Sequence, residues 1–182
     1  MIYLEIGTGP DPYLTKYLEA GHDCYFVEAH PAAFIALVNN YSTYANANFV
    51  NAAISAAAKV QTFSRYREMG EHTIQMSLDT SVPYNQRDTL PLRSEDHLNF
   101  YVYTLPFKDL LEWVKPDVVT INIEGEEIPI LMDYDFSIKP DTFCIEIHTY
   151  DTAIINAFLE KMKDNGYRCR WKKHFVYCQL EE

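Results

Sequence analysis

The stretch Tyr3-Leu4-Glu5-Ile6-Gly7-Thr8-Gly9-Pro10-Asp11-Pro12 constrains the fold of this chain more than any other. Apolar residues run straight into a glycine-spaced loop, the loop closes on Pro10-Asp11-Pro12, and a new apolar periodicity begins at Tyr13. That succession predicts a strand, a tight turn and a helix. Gly7 and Gly9 lack a Cβ, so the backbone can turn sharply and lie against a ligand. Asp11 can cap the helix, and Pro12 suits its first position. Two readings of the loop stand at this point: a cofactor-binding turn, and a connector whose glycines serve geometry alone.

The alternation continues down the chain. Tyr13, Leu14, Tyr17 and Leu18 repeat at helical spacing until Gly21. Cys24 to Val27 reads as a buried strand ending at Glu28, and Pro31 opens a helix bearing Phe34, Leu37 and Val38. Phe49 to Ile54 predicts a third strand, and Val60 to Phe63 a fourth on an edge or in a hairpin. After Phe100–Tyr103 (strand) and Leu105–Val114 (helix), a strongly apolar strand from Asp117 runs into Asn122-Ile123-Glu124-Gly125-Glu126-Glu127. A short helix follows, with Pro129 in its first turn, where a missing N–H costs least. Thr142 to Ile147 is another buried strand, ending at His148, and Asp151 can cap the helix that leads to Gly166. Tyr167 to Trp171 and Phe175 to Leu180 are linked so tightly that they must pair antiparallel.

This order predicts an α/β fold: a mostly parallel sheet with an antiparallel C-terminal hairpin and helices on both faces, one domain over residues 1–182. Between Ser64 and Asn99 the pattern dissolves. That span carries Arg65, Arg67, His72, Gln75, Ser77, Tyr84, Arg87, Arg93 and His97, and so long an irregular segment is expected to be a substrate-facing lid or a disordered insertion.

Charge bounds the partners. The chain has 182 residues and a formal charge of -11, and Lys and Arg cluster only in the Arg168 to Lys173 segment. No concentrated positive surface suits a nucleic-acid backbone, so none is expected as partner. No apolar run approaches membrane-spanning length, and the N-terminus lacks the regions of a signal peptide, which makes a cytoplasmic protein without membrane attachment the expectation. Cys24, Cys144, Cys169 and Cys178 show no metal-site spacing. They are expected as reduced thiols, although Cys169 and Cys178 face each other if their strands pair.

In parallel sheets of this kind ligands bind beyond the carboxyl ends of the strands, which is where Gly7 to Gly9, Glu28, Asn122 to Glu124 and His148 should converge. Glu28 lies about twenty residues beyond the glycine loop, where a carboxylate can accept hydrogen bonds from ribose hydroxyls. A dinucleotide fingerprint needs a third glycine where Pro12 stands, and neither a phosphate-gripping Gly-Lys-Ser/Thr loop nor a Gly-x-Ser-x-Gly turn is present. S-adenosylmethionine, a nucleoside cofactor without a phosphate chain, fits what remains.

At these residues the chain resembles a family. Glu5-Ile6-Gly7-Thr8-Gly9 resembles the first motif of class I S-adenosylmethionine-dependent methyltransferases. Phe26-Val27-Glu28-Ala29-His30-Pro31 with Phe34, Leu37 and Asn40 is similar to the FkbM-type branch. Asn51-Ala52-Ala53-Ile54-Ser55 and Thr104-Leu105-Pro106-Phe107-Lys108-Asp109-Leu110-Leu111 continue the likeness. The most specific piece is Val119-Thr120-Ile121-Asn122-Ile123-Glu124-Gly125-Glu126-Glu127, similar to the family's Lys-Ile-Asp-hydrophobic-Glu-Gly-Ala-Glu segment.

The resemblance implies a seven-stranded Rossmann-like fold, S-adenosylmethionine as cofactor, and methyl transfer to a hydroxyl of a sugar or small natural product. By position, Glu5, Gly7, Thr8 and Gly9 would line the methionyl side of the cofactor. Glu28, with Ala29 beside it, would hold the ribose. Asn51, Ala52 and Ala53 would border the adenine, and Asn122 would complete the set. Asp11, Asn122 and Thr120 depart from the family's Gly, Asp and Lys, and no segment upstream of the first strand is expected to cover the site.

Transfer to an alcohol requires removal of a proton. His148 is the first candidate base and Glu124 the second; equally, His148 can be a strand-end imidazole bonded to backbone, and Glu124 a structural carboxylate at a helix start. Two other functions stand beside the enzyme: a non-catalytic S-adenosylmethionine- or nucleotide-binding module, and an interaction protein with a Tyr-rich surface.

Overall fold

The structure is a computed structural model that describes residues 1–67, 74–77 and 97–181, with side chains over 1–61 and 101–181. A seven-stranded sheet forms its centre, built from β1 (Ile2–Ile6), β2 (Asp23–Val27), β3 (Ala47–Val50), β8 (Val118–Ile121), β9 (Thr142–Glu146), β10 (Tyr167–Lys172) and β11 (Phe175–Leu180). Their spatial order is β10-β11-β9-β8-β1-β2-β3. The five strands from β9 to β3 run parallel, and β11 is antiparallel to both of its neighbours. The reversed strand therefore lies one position in from the edge, and the fold is the Rossmann-like one that the sequence implies.

Alternation along β1 sorts the two faces. Tyr3 points toward a cluster with Leu14, Leu18, Cys24, Phe26 and Leu37, which packs α1 (Thr15–Glu19) and α2 (Pro31–Tyr41) on one side. Leu4 and Ile6 point into the larger core, where α3 (Phe107–Val114), α4 (Glu127–Asp133) and α5 (Thr152–Asp164) bury Leu110, Leu111, Ile130, Leu131, Phe158 and Met162. Each of these side chains is almost wholly removed from water, a gain of about 1.5–3 kcal/mol apiece. Asp151 caps α5 by accepting from Ala153 N and Ile154 N at 2.9 and 3.3 Å. No helix of the described residues is long and apolar enough to cross a membrane.

Four expectations change. The predicted third strand is two strands: β3 stays in the main sheet, while β4 (Ala53–Ser55) pairs with β7 (His97–Pro106) in a second sheet. The predicted fourth strand is longer than expected. β5 (Lys59–Arg67) pairs antiparallel with β7 and with β6 (Ile74–Ser77), giving the order β4-β7-β5-β6. Residues 64–67, 74–77 and 97–99 of the expected lid are thus strand. His72, Tyr84, Arg87 and Arg93 lie outside the described residues, as do the side chains of Arg65, Arg67, Gln75, Ser77 and His97.

Thirdly, Asp11 does not cap α1, which starts only at Thr15 and has no side-chain cap. The buried carboxylate of Glu5 reaches across from β1 instead, accepting from Tyr13 N and Leu14 N at 2.8 and 2.9 Å. Finally, Cys169 and Cys178, cross-strand partners on β10 and β11 with Cα atoms 4.1 Å apart, form a disulfide rather than two thiols. Cys24 and Cys144 remain free.

Candidate functional site

A cavity of about 260 Å³ opens at the carboxyl ends of β1, β2 and β8. Its wall includes Gly7, Thr8, Gly9, Asp11 and Tyr13 from the first turn, Glu28 and Ala29 from the end of β2, Ala52 to Ile54 at the crossing between sheets, and Asn122, Ile123, Glu124 and Glu126 after β8. The parallel register places these ends side by side, Ile6 being paired with both Val27 and Ile121.

The glycine loop is held from both sides. Gly7 N donates to Val27 O and Asn122 N to Ile6 O, each at 2.9 Å. Gly7 adopts φ +79°, and a Cβ on it would lie 1.7 Å from the Asn122 carbonyl oxygen, so the turn and the end of β8 touch backbone to backbone. Gly9, at φ +58°, has nothing within 4 Å of the position of a Cβ. One glycine is required by packing, the other by conformation and the open space beside it.

Glu28, 5 % exposed, accepts from Gly9 N at 2.8 Å and from His30 N at 2.7 Å. It clamps the glycine loop to the start of α2, and its carboxylate keeps acceptor capacity beyond these bonds. Burial pushes its carboxyl above the usual range, against the opposing N–H bonds of His30, Gly9 and Ala29. Burial likewise pushes Glu5 up to about 7 despite the two N–H groups it accepts from. Glu5 does not contribute to the cavity wall: it supports the turn from behind. Asn51 is not part of the wall either, donating from Nδ2 to Glu28 O at 2.8 Å and so bracing the end of β2.

On the wall, the buried Thr8 Oγ1 and Asn122 Oδ1 have no hydrogen-bond partner. Buried polar atoms are rarely left so unless a ligand or water completes them.

Beyond β8 the loop is organised by Glu127, which sequence reasoning placed only as a letter in a motif. Its carboxylate, 2 % exposed, accepts from Ile123 N at 2.7 Å and Gly125 N at 2.9 Å, and lies 2.8 Å from His148 Nδ1. Between its two N–H donors Glu124 is held at φ +56°, a left-handed conformation that costs a non-glycine residue about 1–2 kcal/mol. The signal in the chain was a Glu in the first turn of a helix behind a glycine, a pattern that satisfies loop N–H groups.

His148 is not on the cavity wall. Its side chain is 4 % exposed, with Nε2 3.6 Å from Glu124 and 4.0 Å from Glu146. Burial acts to lower its pKa, but the hydrogen bond and charge of Glu127, with Glu124 and Glu146 behind it, outweigh that and hold it above the ordinary value. Glu124 does line the cavity. The two candidate bases are therefore adjacent, with the carboxylate in front of the imidazole.

Comparison with solved structures returns the same architecture. The chain aligns over 99 % of its length with the Methanococcus jannaschii fibrillarin pre-rRNA processing protein, at a TM-score of 0.53 and 11 % identity, and spans 66 % of that chain. It aligns over its whole length with a fibrillarin/Nop5p complex at TM-score 0.51 and 10 % identity, covering 72 % of that chain. At such identities the likeness is one of fold. No curated protein matches the sequence significantly. The family described as the methyltransferase FkbM domain matches residues 6–169, a span that contains the glycine turn, Glu28 and the whole Asn122–Glu127 segment, and the chain belongs to this family of S-adenosylmethionine-dependent methyltransferases.

Proposed function

We propose that the chain transfers a methyl group to a hydroxyl of a sugar or small natural product. The observation that carries this reading is the cavity at the ends of β1, β2 and β8, walled by the glycine turn and Glu28 and carrying unpartnered Thr8 Oγ1 and Asn122 Oδ1. These features fit the family's cofactor. Gly7, Thr8 and Gly9 would border its methionyl side, Glu28 with Ala29 its ribose, and Ala52 and Ala53 its adenine. Asn122 offers an acceptor oxygen. Glu5 and Asn51 hold those groups in place from outside the cavity. When bound, S-adenosylmethionine supplies an electrophilic methyl on a sulfonium.

The chain's own part is to align the acceptor and remove its proton. Glu124 faces the cavity and is the group positioned to receive the hydroxyl proton. His148 acts through Glu124 as a positioning residue, held by Glu127 and facing the Glu124 carboxylate. A proton received by Glu124 passes on to His148 Nε2, 3.6 Å away, only while that imidazole is neutral.

Titration calorimetry with S-adenosylhomocysteine tests the cofactor half. Glu28→Ala removes a charged acceptor and is expected to weaken binding roughly 10–100-fold. Wild-type protein that binds neither S-adenosylhomocysteine nor S-adenosylmethionine would refute the proposal, and binding without methylation of any acceptor in a hydroxyl-bearing library would make the chain a cofactor-binding module.

The pH profile tests the second half. Because His148 is held above its ordinary value of about 6.5, kcat/KM should fall with acidity along a limb whose midpoint lies above 6.5. His148→Ala should lower kcat by about 10²–10⁴ while leaving S-adenosylhomocysteine affinity unchanged. A flat profile between pH 5.5 and 8 would remove the Glu124–His148 pair from the reaction.

A further inference from the structure

The described walls of the cavity carry four carboxylates, Asp11, Glu28, Glu124 and Glu126, and no Lys, Arg or His. Cations collect elsewhere, on the edge strand of the main sheet. Arg168, Arg170 and Lys172 alternate along β10 and so share one face, with Gln179, Tyr177 and Phe175 as their cross-strand partners on β11. The Cys169–Cys178 bridge, one residue out of step, lies on the opposite face with α5.

This face is continuous with the cavity. Tyr13, part of the cavity wall, meets Phe175 edge-on with ring centroids 6.1 Å apart, and Phe175 lies 6.3 Å from Tyr177. Arg170 and Lys172 flank the two outer rings. Both are exposed, and Tyr177 is 40 % exposed. The strip thus leads from the acidic mouth, along three aromatic rings, to the Lys and Arg side chains of β10.

We propose that this strip binds the non-reacting end of an acidic saccharide acceptor, whose pyranose faces stack on Phe175 and Tyr177 and whose carboxylate or other anionic substituents meet Arg170 and Lys172. Aromatic rings present the flat apolar surface that sugar C–H faces require. Guanidinium and ammonium groups supply the donors for anions. The opposed charges orient the ligand: the acidic mouth repels its anionic end and the basic edge attracts it, leaving a neutral hydroxyl to enter the cavity. The inference rests on the saccharide O-methylation proposed above and names the class of acceptor.

The experiment is titration of trigalacturonate, with maltotriose as its neutral counterpart, into the full chain saturated with S-adenosylhomocysteine. Trigalacturonate is expected to bind more tightly than maltotriose, with an affinity that falls as salt rises. Replacing both cations, Arg170→Gln with Lys172→Gln, should weaken it roughly five- to tenfold, while maltotriose and S-adenosylhomocysteine binding stay as in wild type. Tyr177→Ser should weaken both saccharides. Equal affinity for the two saccharides, no saccharide binding, or a double variant indistinguishable from wild type would overturn the proposal. Failure of S-adenosylhomocysteine itself to bind would count against the proposed function, a separate result. Both cations are exposed, so the double variant should melt as wild type does.

Discussion

Gly7→Ala is expected to abolish cofactor binding and to destabilise the protein by about 2–5 kcal/mol, the sum of a left-handed backbone conformation imposed on alanine and an overlap the core cannot absorb. The new Cβ would sit 1.7 Å from the Asn122 carbonyl oxygen, 2.7 Å from its carbonyl carbon and 3.0 Å from Ile123 Cγ2. The first two are backbone atoms that cannot rotate aside. Nor can either backbone retreat easily, because Gly7 N is bonded to Val27 O and Asn122 N to Ile6 O. Relief requires separating β1 from β8 at the base of the cavity. Gly9→Ala is the informative counterpart, since its Cβ would meet no atom within 4 Å and only conformational strain of about 1–2 kcal/mol remains. Thermal melting with calorimetry separates the two: Gly7→Ala loses stability and binding together, Gly9→Ala chiefly binding. A Gly7→Ala protein that melts as wild type does and binds S-adenosylhomocysteine normally would show that the contact between the turn and β8 is not tight.

Glu127→Ala should have an effect of similar size by a different route. The substitution leaves the N–H groups of Ile123 and Gly125 and the His148 ring without the acceptor they share. Unsatisfied buried donors cost about 1–3 kcal/mol each, and a buried cation without its partner about 3–5, so a loss of about 3–5 kcal/mol is expected after partial relaxation. Two further readouts distinguish a loop organiser from a simple core residue. With Glu127 gone, burial acts on His148 with less opposition, so its imidazole should titrate at lower pH by NMR. Glu124 should also lose its left-handed conformation, lowering kcat more than cofactor affinity. Glu127→Gln, which keeps one acceptor oxygen but turns an amide N–H₂ toward a donor, should fall between. A change below about 1 kcal/mol with an unmoved His148 titration would contradict the assignment.

Much of the architecture was legible because buried parallel strands advertise themselves. Tyr3–Ile6, Cys24–Val27, Val118–Ile121 and Thr142–Glu146 are apolar runs ending in polar groups, and the ends of the first three form the cavity. What escaped was set by contacts distant in sequence. Phe49 to Ile54 is one apolar run, yet the chain changes sheets within it, and periodicity is blind to which partner a strand chooses. The outer strands β5 and β7 were found but shortened because Val60, Tyr101 and Tyr103 are exposed apolar residues, which hides the inside–outside alternation on which strand prediction depends. Asp11 looked like the cap for α1, but the donors at Tyr13 and Leu14 were met from β1 by Glu5, eight and nine residues away. Glu127 draws its ligands from a loop before it and an imidazole 21 residues after it. No local spacing encodes that convergence.

The join between the two sheets determines which part of the second sheet belongs to the cofactor cavity. Thr104, fully buried, accepts from Lys59 N and donates to Ala57 O at 3.0 and 2.8 Å, pinning the base of the second sheet beside Ala53 and Ile54 of the cavity wall. The second sheet is in effect rooted in the cofactor site: its base shares Ala53 and Ile54 with the cavity wall, whereas described residues farther out, such as the exposed Tyr101, contribute none of that wall.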